Sequence, residues 1–259
     1  MSKLWVIGVA CFFFIQVASA ASNGLARLQS VTVDVTDKAA LQRGAKWYMN
    51  YCAGCHSLEY LRYSRLGQDI GITDYKGDLN TEILTRNLIF TAVKFTEPIQ
   101  IALQAEQARQ WFGVMPPDLT LRARVRGADW LYTYLTSFYQ DSNRPFGANN
   151  RLFPDTAMPN VFYPLQGKQI AMSTTREVMV DGELIQQSVI EDLQLIRAGS
   201  MTEHEFRSMV TDLVTFLVYV SEPGRLQRQQ LGWKVLIFLI IFAVFAYLLK
   251  RSYWKKLLR

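Results

Sequence analysis

The chain has 259 residues, and its 28 Lys and Arg against 22 Asp and Glu give a formal net charge of +6 at pH 7. Nine of these cations lie at Lys3 or beyond residue 224, so residues 21–222 carry 19 cations and all 22 acids, a net charge near −3. This distribution removes the charge argument for a nucleic-acid partner, and the mildly acidic segment suits a basic soluble partner instead.

The first 20 residues have the layout of a secretory signal. Lys3 precedes an apolar run at residues 4–17, and the segment ends in the small-x-small pattern ASA. The alternative is an uncleaved N-terminal anchor, but the run is shorter than a stable membrane span. Cleavage after Ala20 removes Cys11 and leaves two cysteines, so we predict an exported domain that is not a disulfide scaffold.

Residues 21–222 are long enough for one domain with a substantial core, and their apolar pattern is mostly helical. A helix capped by Asp37 is predicted to lead directly into the first cysteine of this domain. Thr202 and Glu205 form a capping box, which predicts the start of a helix that ends before Pro223. In chain order, the predicted helices are residues 37–50, 80–95, 129–139 and 202–222.

Loops and one hairpin complete the predicted domain. Residues 140–169 are rich in Pro, Gly and Asn, which predicts mainly loop. Asp181 and Gly182 lie between β-prone residues and predict a small hairpin over residues 176–187. The predicted fold class is therefore mainly α, with a small β-hairpin and long loops.

A second hydrophobic segment lies near the C-terminus. Residues 231–249 form an apolar run of 19 residues, close to the length that crosses a bilayer as a helix. Its one charge, Lys234, lies a turn from the start and can reach the interface. The tail at residues 250–259 has five cations and no acid, so the positive-inside rule predicts a cytoplasmic C-terminus. We predict one transmembrane helix, joined to the domain by a hinge at residues 223–230.

The segment CAGCH, which contains Cys52, Cys55 and His56, has three competing interpretations. A structural zinc site needs four ligands, and beyond these three the chain offers only His204. A thioredoxin-like redox pair is expected beside a βαβ pattern, which the surrounding sequence lacks. C-x-x-C-H is the attachment signature of a c-type haem, in which the thiols add to the vinyl groups and the imidazole binds iron. We therefore predict one covalently bound haem c.

Electron carriers usually fill the sixth iron position with a methionine sulfur. Met115 lies 59 residues after His56, and Met158 lies 102 residues after it in a loop. The other methionines of the domain lie in elements where packing is the ordinary explanation. His204 could also ligate, but it is expected on the exposed side of a helix. Spacing alone leaves Met115 and Met158 as open alternatives.

Four stretches, followed by the terminal anchor, carry a resemblance to a known family. They read RGAKWYMNYCAGCHSLEYLRYSRL, MPPDLTLRARVRGADWLYTYL, AMPNVFYPL and VTDLVTFLVYVSEPGRLQRQQLGWKV. The ordered set resembles the cytochrome c1 family, the haem subunit of the cytochrome bc1 complex, over nearly all of the mature chain. The resemblance implies a c-type cytochrome domain in which Met158 is the sixth iron ligand and Met115 is a haem-pocket or loop residue.

The resemblance also implies further contacts to the haem. Arg126, in the basic stretch LRARVR, matches the family arginine that pairs with a haem propionate, although such a stretch alone is typical of a solvated face. Pro116 and Pro117 match a loop that packs against the haem, and Tyr48 is expected near the macrocycle. Compared with some bacterial relatives, residues 127–158 and the hairpin are expected to be short.

The implied function is a mono-haem electron relay in the bacterial inner membrane, with no substrate chemistry by this chain alone. By resemblance, the chain accepts electrons from the Rieske iron–sulfur protein and passes them to a soluble or anchored c-type cytochrome. Its anchor would lie beside cytochrome b, with the haem domain on the periplasmic side. Three alternatives are an anchored cytochrome that feeds an oxidase, a haem enzyme or gas sensor, and an anchored thiol oxidoreductase.

Overall fold

The computed structural model describes residues 27–257, apart from residues 102 and 181–182. The predicted signal at residues 1–20 and its cleavage site lie outside the described residues. Within them, the helices are α1 (Lys38–Tyr51), α2 (Tyr63–Ile70), α3 (Thr81–Leu88), α4 (Ala105–Phe112), α5 (Arg122–Arg126), α6 (Ala128–Thr136), α7 (Tyr163–Gln166), α8 (Glu203–Ser221) and α9 (Arg225–Leu257). The strands of this part of the chain pair as β1 (Leu58–Arg62) with β2 (Pro98–Ile99), β3 (Phe138–Gln140) with β4 (Ala148–Asn150), and β5 (Gly167–Val180) with β6 (Glu183–Ala198), all antiparallel. The predicted fold class is confirmed.

Helices α1 and α8 form the centre of the domain core, and both begin where the sequence predicts. The carboxylate of Asp37 accepts hydrogen bonds from the first N–H groups of α1. At the start of α8, Thr202 Oγ1 accepts from Glu205 N–H, and the Glu205 carboxylate accepts from Thr202 N–H at 2.8 Å. These caps satisfy N–H groups that lack a partner in the first helical turn. The buried residues of the two helices include Leu41, Ala45, Tyr48, Val210, Leu213 and Phe216.

A glycine allows α1 and α8 to approach closely. A methyl group at Gly44 would overlap the backbone carbonyl oxygen of Asp212 and lie 2.6 Å from Cβ of Phe216. The preceding residue, Arg43, donates two hydrogen bonds to the Asp212 carboxylate, Nε to Oδ2 at 2.7 Å and Nη2 to Oδ1 at 2.9 Å. The bidentate ion pair thus joins the same two helices whose separation the glycine permits.

The helix predicted at residues 80–95 is shorter than expected. Helix α3 ends at Leu88, the following Ile89 is extended, and the chain reaches Phe95 in a turn. There the carbonyl oxygen of Phe95 accepts a hydrogen bond from Ser64 N–H at 2.7 Å. Pairing with a segment some thirty residues earlier therefore competes with continuation of the helix, and the prediction was wrong over its second half.

The helix predicted at residues 129–139 is α6, and it ends at Thr136. The following residues form β3 instead, which pairs with β4 in the register Phe138↔Asn150. Strand β4 and the short helix α7 both lie in the segment predicted as mainly loop. The backbone N–H and C=O groups of residues 138–140 pair with β4. They are therefore not available for the hydrogen bonds of another helical turn.

The hairpin lies where predicted but is much longer than expected. Strands β5 and β6 have 14 and 16 residues, and their register runs from Gly167↔Ala198 to Val180↔Glu183. The two residues expected to form the turn lie between the strands, outside the described residues. The hairpin therefore extends well beyond the small one predicted at residues 176–187, and its length relative to that in other bacterial relatives stays a prediction. The register shifts twice, between Lys168 and Gln169 and between Met172 and Ser173. Each shift interrupts the alternation of side chains between the two faces of the strand, which is the pattern that predicts strands from sequence.

Helix α9 is long and apolar enough to cross a membrane, with a mean hydropathy of 2.4 and no part of its apolar window buried. It contains the whole predicted span at residues 231–249. It begins at Arg225, so the hinge predicted at residues 223–230 is confined to the few residues between α8 and α9. At this junction Glu222 Oε1 lies 2.6 Å from Nη2 of Arg228 and 3.6 Å from Nη1 of Arg124. Glu222 thereby connects the start of α9 to helix α5 of the domain.

Candidate functional site

The segment CAGCH lies at the C-terminal end of α1. Cys52 is the C-cap residue of the helix, and the N–H groups of Cys55 and His56 both donate to its carbonyl oxygen, at 3.0 and 2.8 Å. This tight turn places Cys52, Cys55 and His56 on one short segment at the end of the helix. Cys52 is buried and Cys55 is half-buried, and both thiols are free. Burial, and to a lesser extent Cys55, raises the pKa of Cys52 to about 12.

The imidazole of His56 has a defined orientation. Its Nδ1 lies 2.7 Å from the carbonyl oxygen of Pro117. Because a carbonyl oxygen can only accept, Nδ1 must carry the proton, and the lone pair of Nε2 is left available for a metal. Burial lowers the pKa of His56, with Arg122 adding to the effect and the contacts to Pro117 and Asp118 opposing it. The neutral imidazole that an iron ligand requires is thus favoured.

Pro117 contributes to this site in a way that sequence reasoning missed. It was expected to pack on the haem together with Pro116, and that packing stays a prediction. In the structure its backbone oxygen holds the ring of His56, a residue 61 positions away in the chain. A backbone contact of this kind leaves no trace in residue type or spacing, so no sequence pattern could have revealed it.

The structure distinguishes the surroundings of the two candidate methionines. Met158 is half-buried against the hydrophobic core that also contains Cys52, and its sulfur accepts a hydrogen bond from Tyr134 Oη at 3.5 Å. Tyr134 Oη also contacts Thr156 Oγ1 at 2.8 Å, which orients the phenol. Met115 is 38% exposed. Iron ligation by Met158 stays a prediction, and its burial and oriented sulfur are consistent with that role.

Arg126 is exposed, and its guanidinium carbon lies 4.9 Å from the centroid of the Trp130 ring. Trp130 in turn stacks on Tyr134, with centroids 5.1 Å apart and an interplanar angle of 9°. No carboxylate of the described residues forms an ion pair with Arg126. Its pairing with a propionate stays a prediction, while the stack connects this cation to the tyrosine that contacts Met158.

The zinc interpretation of CAGCH lacks a complete ligand set in the described part of the chain. There, no group of three or more His, Cys, Asp or Glu side chains is placed to hold a metal ion. His204 lies exposed in the first turn of α8. The residues of the turn, two cysteines and a histidine whose Nε2 is free, are those that covalent haem attachment uses.

Comparison with known proteins relates the domain and helix α9 to one family. The model of the Cytochrome C1 family matches residues 29–257. A cytochrome c1 of Allochromatium vinosum is 46% identical over 236 residues, which cover 91% of this chain and 91% of that protein. An ammonia monooxygenase gamma subunit of Nitrosomonas europaea is 39% identical over 229 residues, 88% of each chain.

More distant similarity extends to a larger protein and to a solved structure. A cytochrome b/c1 of Bradyrhizobium diazoefficiens is 27% identical over 247 residues, which are 84% of this chain and 33% of that protein. A chain of a hyperthermophilic respiratory Complex III covers 98% of this chain and 96% of its own length, at 15% identity and a TM-score of 0.42. Because the family match includes the CAGCH turn, the Met158 loop and α9, the chain belongs to the cytochrome c1 family.

Proposed function

We propose that the chain binds one haem c covalently and relays single electrons within a ubiquinol:cytochrome c reductase. Membership of the cytochrome c1 family makes it the electron-transfer subunit of a cytochrome bc1 complex. The observation that carries the proposal is the turn after α1. It presents two free thiols beside a histidine whose Nδ1 is engaged by Pro117 and whose Nε2 is free to bind iron.

Each residue of the proposed site has a separate role. Cys52 and Cys55 would form the thioether bonds, and His56 and Met158 would ligate the iron from its two sides. Once bound, haem c supplies a reversible one-electron couple. The hydrogen bond from His56 to Pro117 makes the imidazole a stronger donor, whereas a thioether sulfur favours ferrous iron and raises the potential. With both positions filled by the protein, exogenous ligands such as carbon monoxide are kept out.

The proposed partners are cytochrome b, the Rieske iron–sulfur protein as electron donor and a c-type cytochrome as acceptor. Cytochrome b is supported by the Bradyrhizobium relative, whose name joins b and c1 in one protein and of which the match covers one third. The apolar helix α9 provides a membrane surface for such a partner. The mildly acidic balance of residues 21–222 suits a basic acceptor.

We place the haem domain on the periplasmic side of the bacterial inner membrane. The basic residues that follow the apolar part of α9 support a cytoplasmic C-terminus, and the signal-like residues 1–20 support export of the domain. Both arguments come from the sequence and agree on one orientation of a single-pass chain.

Purification of the tagged full-length chain from detergent-solubilised membranes tests the proposal. We expect a haem band that survives denaturing electrophoresis, with cytochrome b and the Rieske protein in the same fraction. Replacing both Cys52 and Cys55 by serine should remove that band. A colourless chain with two alkylatable thiols would contradict the cofactor assignment. A coloured chain that co-purifies with oxidase or monooxygenase subunits, the latter as the Nitrosomonas relative is named, would contradict the bc1 assignment alone.

The role proposed for Arg126 predicts a change in potential. Removing a cation near a propionate stabilises the ferric form, because that form carries one more positive charge. We therefore expect Arg126→Ala to lower the midpoint potential, by no more than about 59 mV, the one-electron equivalent of a tenfold change in equilibrium. The measurement is a redox titration of the purified chain. Arg86→Ala, which removes an exposed arginine paired with Glu82 on α3, is the control. Equal potentials in all three proteins would show that Arg126 does not pair with a haem propionate.

A further inference from the structure

The loop that carries Pro117 is held against the chain that follows His56 by one carboxylate. Asp118 Oδ2 accepts hydrogen bonds from Ser57 Oγ and from Glu59 N–H, each at 2.8 Å. Asp118 Oδ1 accepts from Thr120 N–H at 2.9 Å, which closes a turn within the loop itself. The carboxylate therefore connects two segments that are about sixty residues apart in sequence.

A backbone hydrogen bond also joins these two segments. Leu119 N–H donates to the carbonyl oxygen of Ser57 at 3.0 Å. Residues 114–119 belong to no helix or strand, so few regular hydrogen bonds hold this part of the loop. The contacts of Asp118 and Leu119 lie immediately after Pro117 on one segment and immediately after His56 on the other. They consequently determine how the carbonyl oxygen of Pro117 approaches the imidazole.

We propose that Asp118 is a positioning residue for the axial histidine: its carboxylate fixes the carbonyl oxygen of Pro117 on Nδ1 of His56. This role rests on the proposed function, because it concerns a histidine that ligates iron. A firmly held Nδ1–H group fixes the ring orientation and the tautomer and makes Nε2 a stronger donor. A stronger donor stabilises ferric iron, so Asp118 would hold the midpoint potential lower than it would otherwise be.

A carboxylate is the side chain that these donors require. The groups around Asp118 are the backbone N–H groups of Glu59 and Thr120 and the hydroxyl groups of Ser57 and Thr120, and an ionised carboxylate accepts on both oxygens. An asparagine would place an N–H2 group where one of the acceptors now lies. Burial alone would raise the pKa of Asp118, but hydrogen bonds from Thr120, Glu59 and Ser57 lower it. The group is therefore ionised, as the geometry needs, throughout the neutral range.

Charge and position have to be separated in the test, since loss of a nearby negative charge also raises the potential. Asp118→Asn removes both the charge and one acceptor. Asp118→Glu keeps the charge but displaces the oxygens, and Ser57→Ala keeps the charge and removes one hydrogen bond. Asp34→Asn is the matched control, because Asp34 is an exposed carboxylate that accepts from Thr36 in a turn before α1. Electron paramagnetic resonance of the oxidised haem reports the axial ligand field and the orientation of the imidazole, which charge alone does not move.

In the purified complex, we expect Asp118→Asn to raise the ratio of reduced to oxidised haem at a fixed potential by up to about tenfold, because substituting a group that supports a metal ligand typically changes metal affinity or activity by at least that factor. Its resonance g values should change as well. Asp118→Glu and Ser57→Ala should change the g values and raise the ratio to a smaller extent, and Asp34→Asn should change neither. Ser57→Ala is mild enough to test the proposal even if the Asp118 variants fail to fold. Unchanged g values in Ser57→Ala and in any folded Asp118 variant would overturn the positioning role, whereas a wild-type chain without haem would overturn the proposed function instead.

Discussion

Replacing Met158 by leucine is expected to leave the haem attached while lowering its midpoint potential and opening the iron to exogenous ligands. The proposed attachment is through Cys52 and Cys55, which the substitution does not touch. Leucine fills a similar volume but has no sulfur to bind iron. We expect a decrease on the order of 0.1 V or more, since the choice of axial ligand spans about 0.8 V across haem proteins. A redox titration and carbon monoxide binding to the reduced protein measure the two effects.

Met115→Leu is the matched control for this prediction. Met115 is the other candidate by spacing, but its side chain is 38% exposed, and among the described residues no side chain donates to its sulfur as the Tyr134 hydroxyl does to that of Met158. We expect its potential and its resistance to carbon monoxide to equal those of the unaltered protein. The reverse pattern, with Met158→Leu silent and Met115→Leu altered, would show that Met115 is the ligand.

Replacing Gly44 by alanine is expected to destabilise the domain by about 3 kcal/mol, the upper part of the usual range for overpacking a core. In an isolated helix, alanine is favoured over glycine by about 1 kcal/mol. Here the added methyl group would overlap the backbone carbonyl oxygen of Asp212, which cannot rotate away as a flexible side chain could. Helices α1 and α8 would have to separate, and this would also stretch the ion pair between Arg43 and Asp212.

Chemical denaturation followed by circular dichroism measures this effect on the free energy of unfolding. Gly232→Ala on α9 is a suitable control, because in the described part of the chain no atom beyond its chain neighbours and its own helix backbone lies within 4 Å of the position its methyl group would take. It should unfold with the unaltered protein or slightly later. If Gly44→Ala were as stable as the control, the close contact between α1 and α8 would be incorrect.

Several features of the chain follow from residues that are close together in sequence. The CAGCH turn, the Asp37 cap and the capping box of Thr202 and Glu205 each involve groups within a few positions of one another. Their hydrogen bonds join groups at the end of a single helix, so they form whenever the local backbone adopts that helix. The apolar part of α9 was likewise predictable, because its length and composition alone meet the requirement for crossing a membrane.

Other features were decided by groups that meet only in the folded chain. The ends of α3 and α6 depend on pairing with Ser64 and with strand β4, which no local helix propensity includes. The hydrogen bond from His56 to Pro117 and the contacts of Asp118 join segments about sixty residues apart. From the sequence alone, Gly44 is expected to destabilise its helix. Its close contact with Asp212 explains why a glycine lies at this position. The residues proposed to attach the haem could therefore be named from the sequence, whereas the orientation of His56 requires the tertiary structure, because the acceptor that sets it comes from a distant loop.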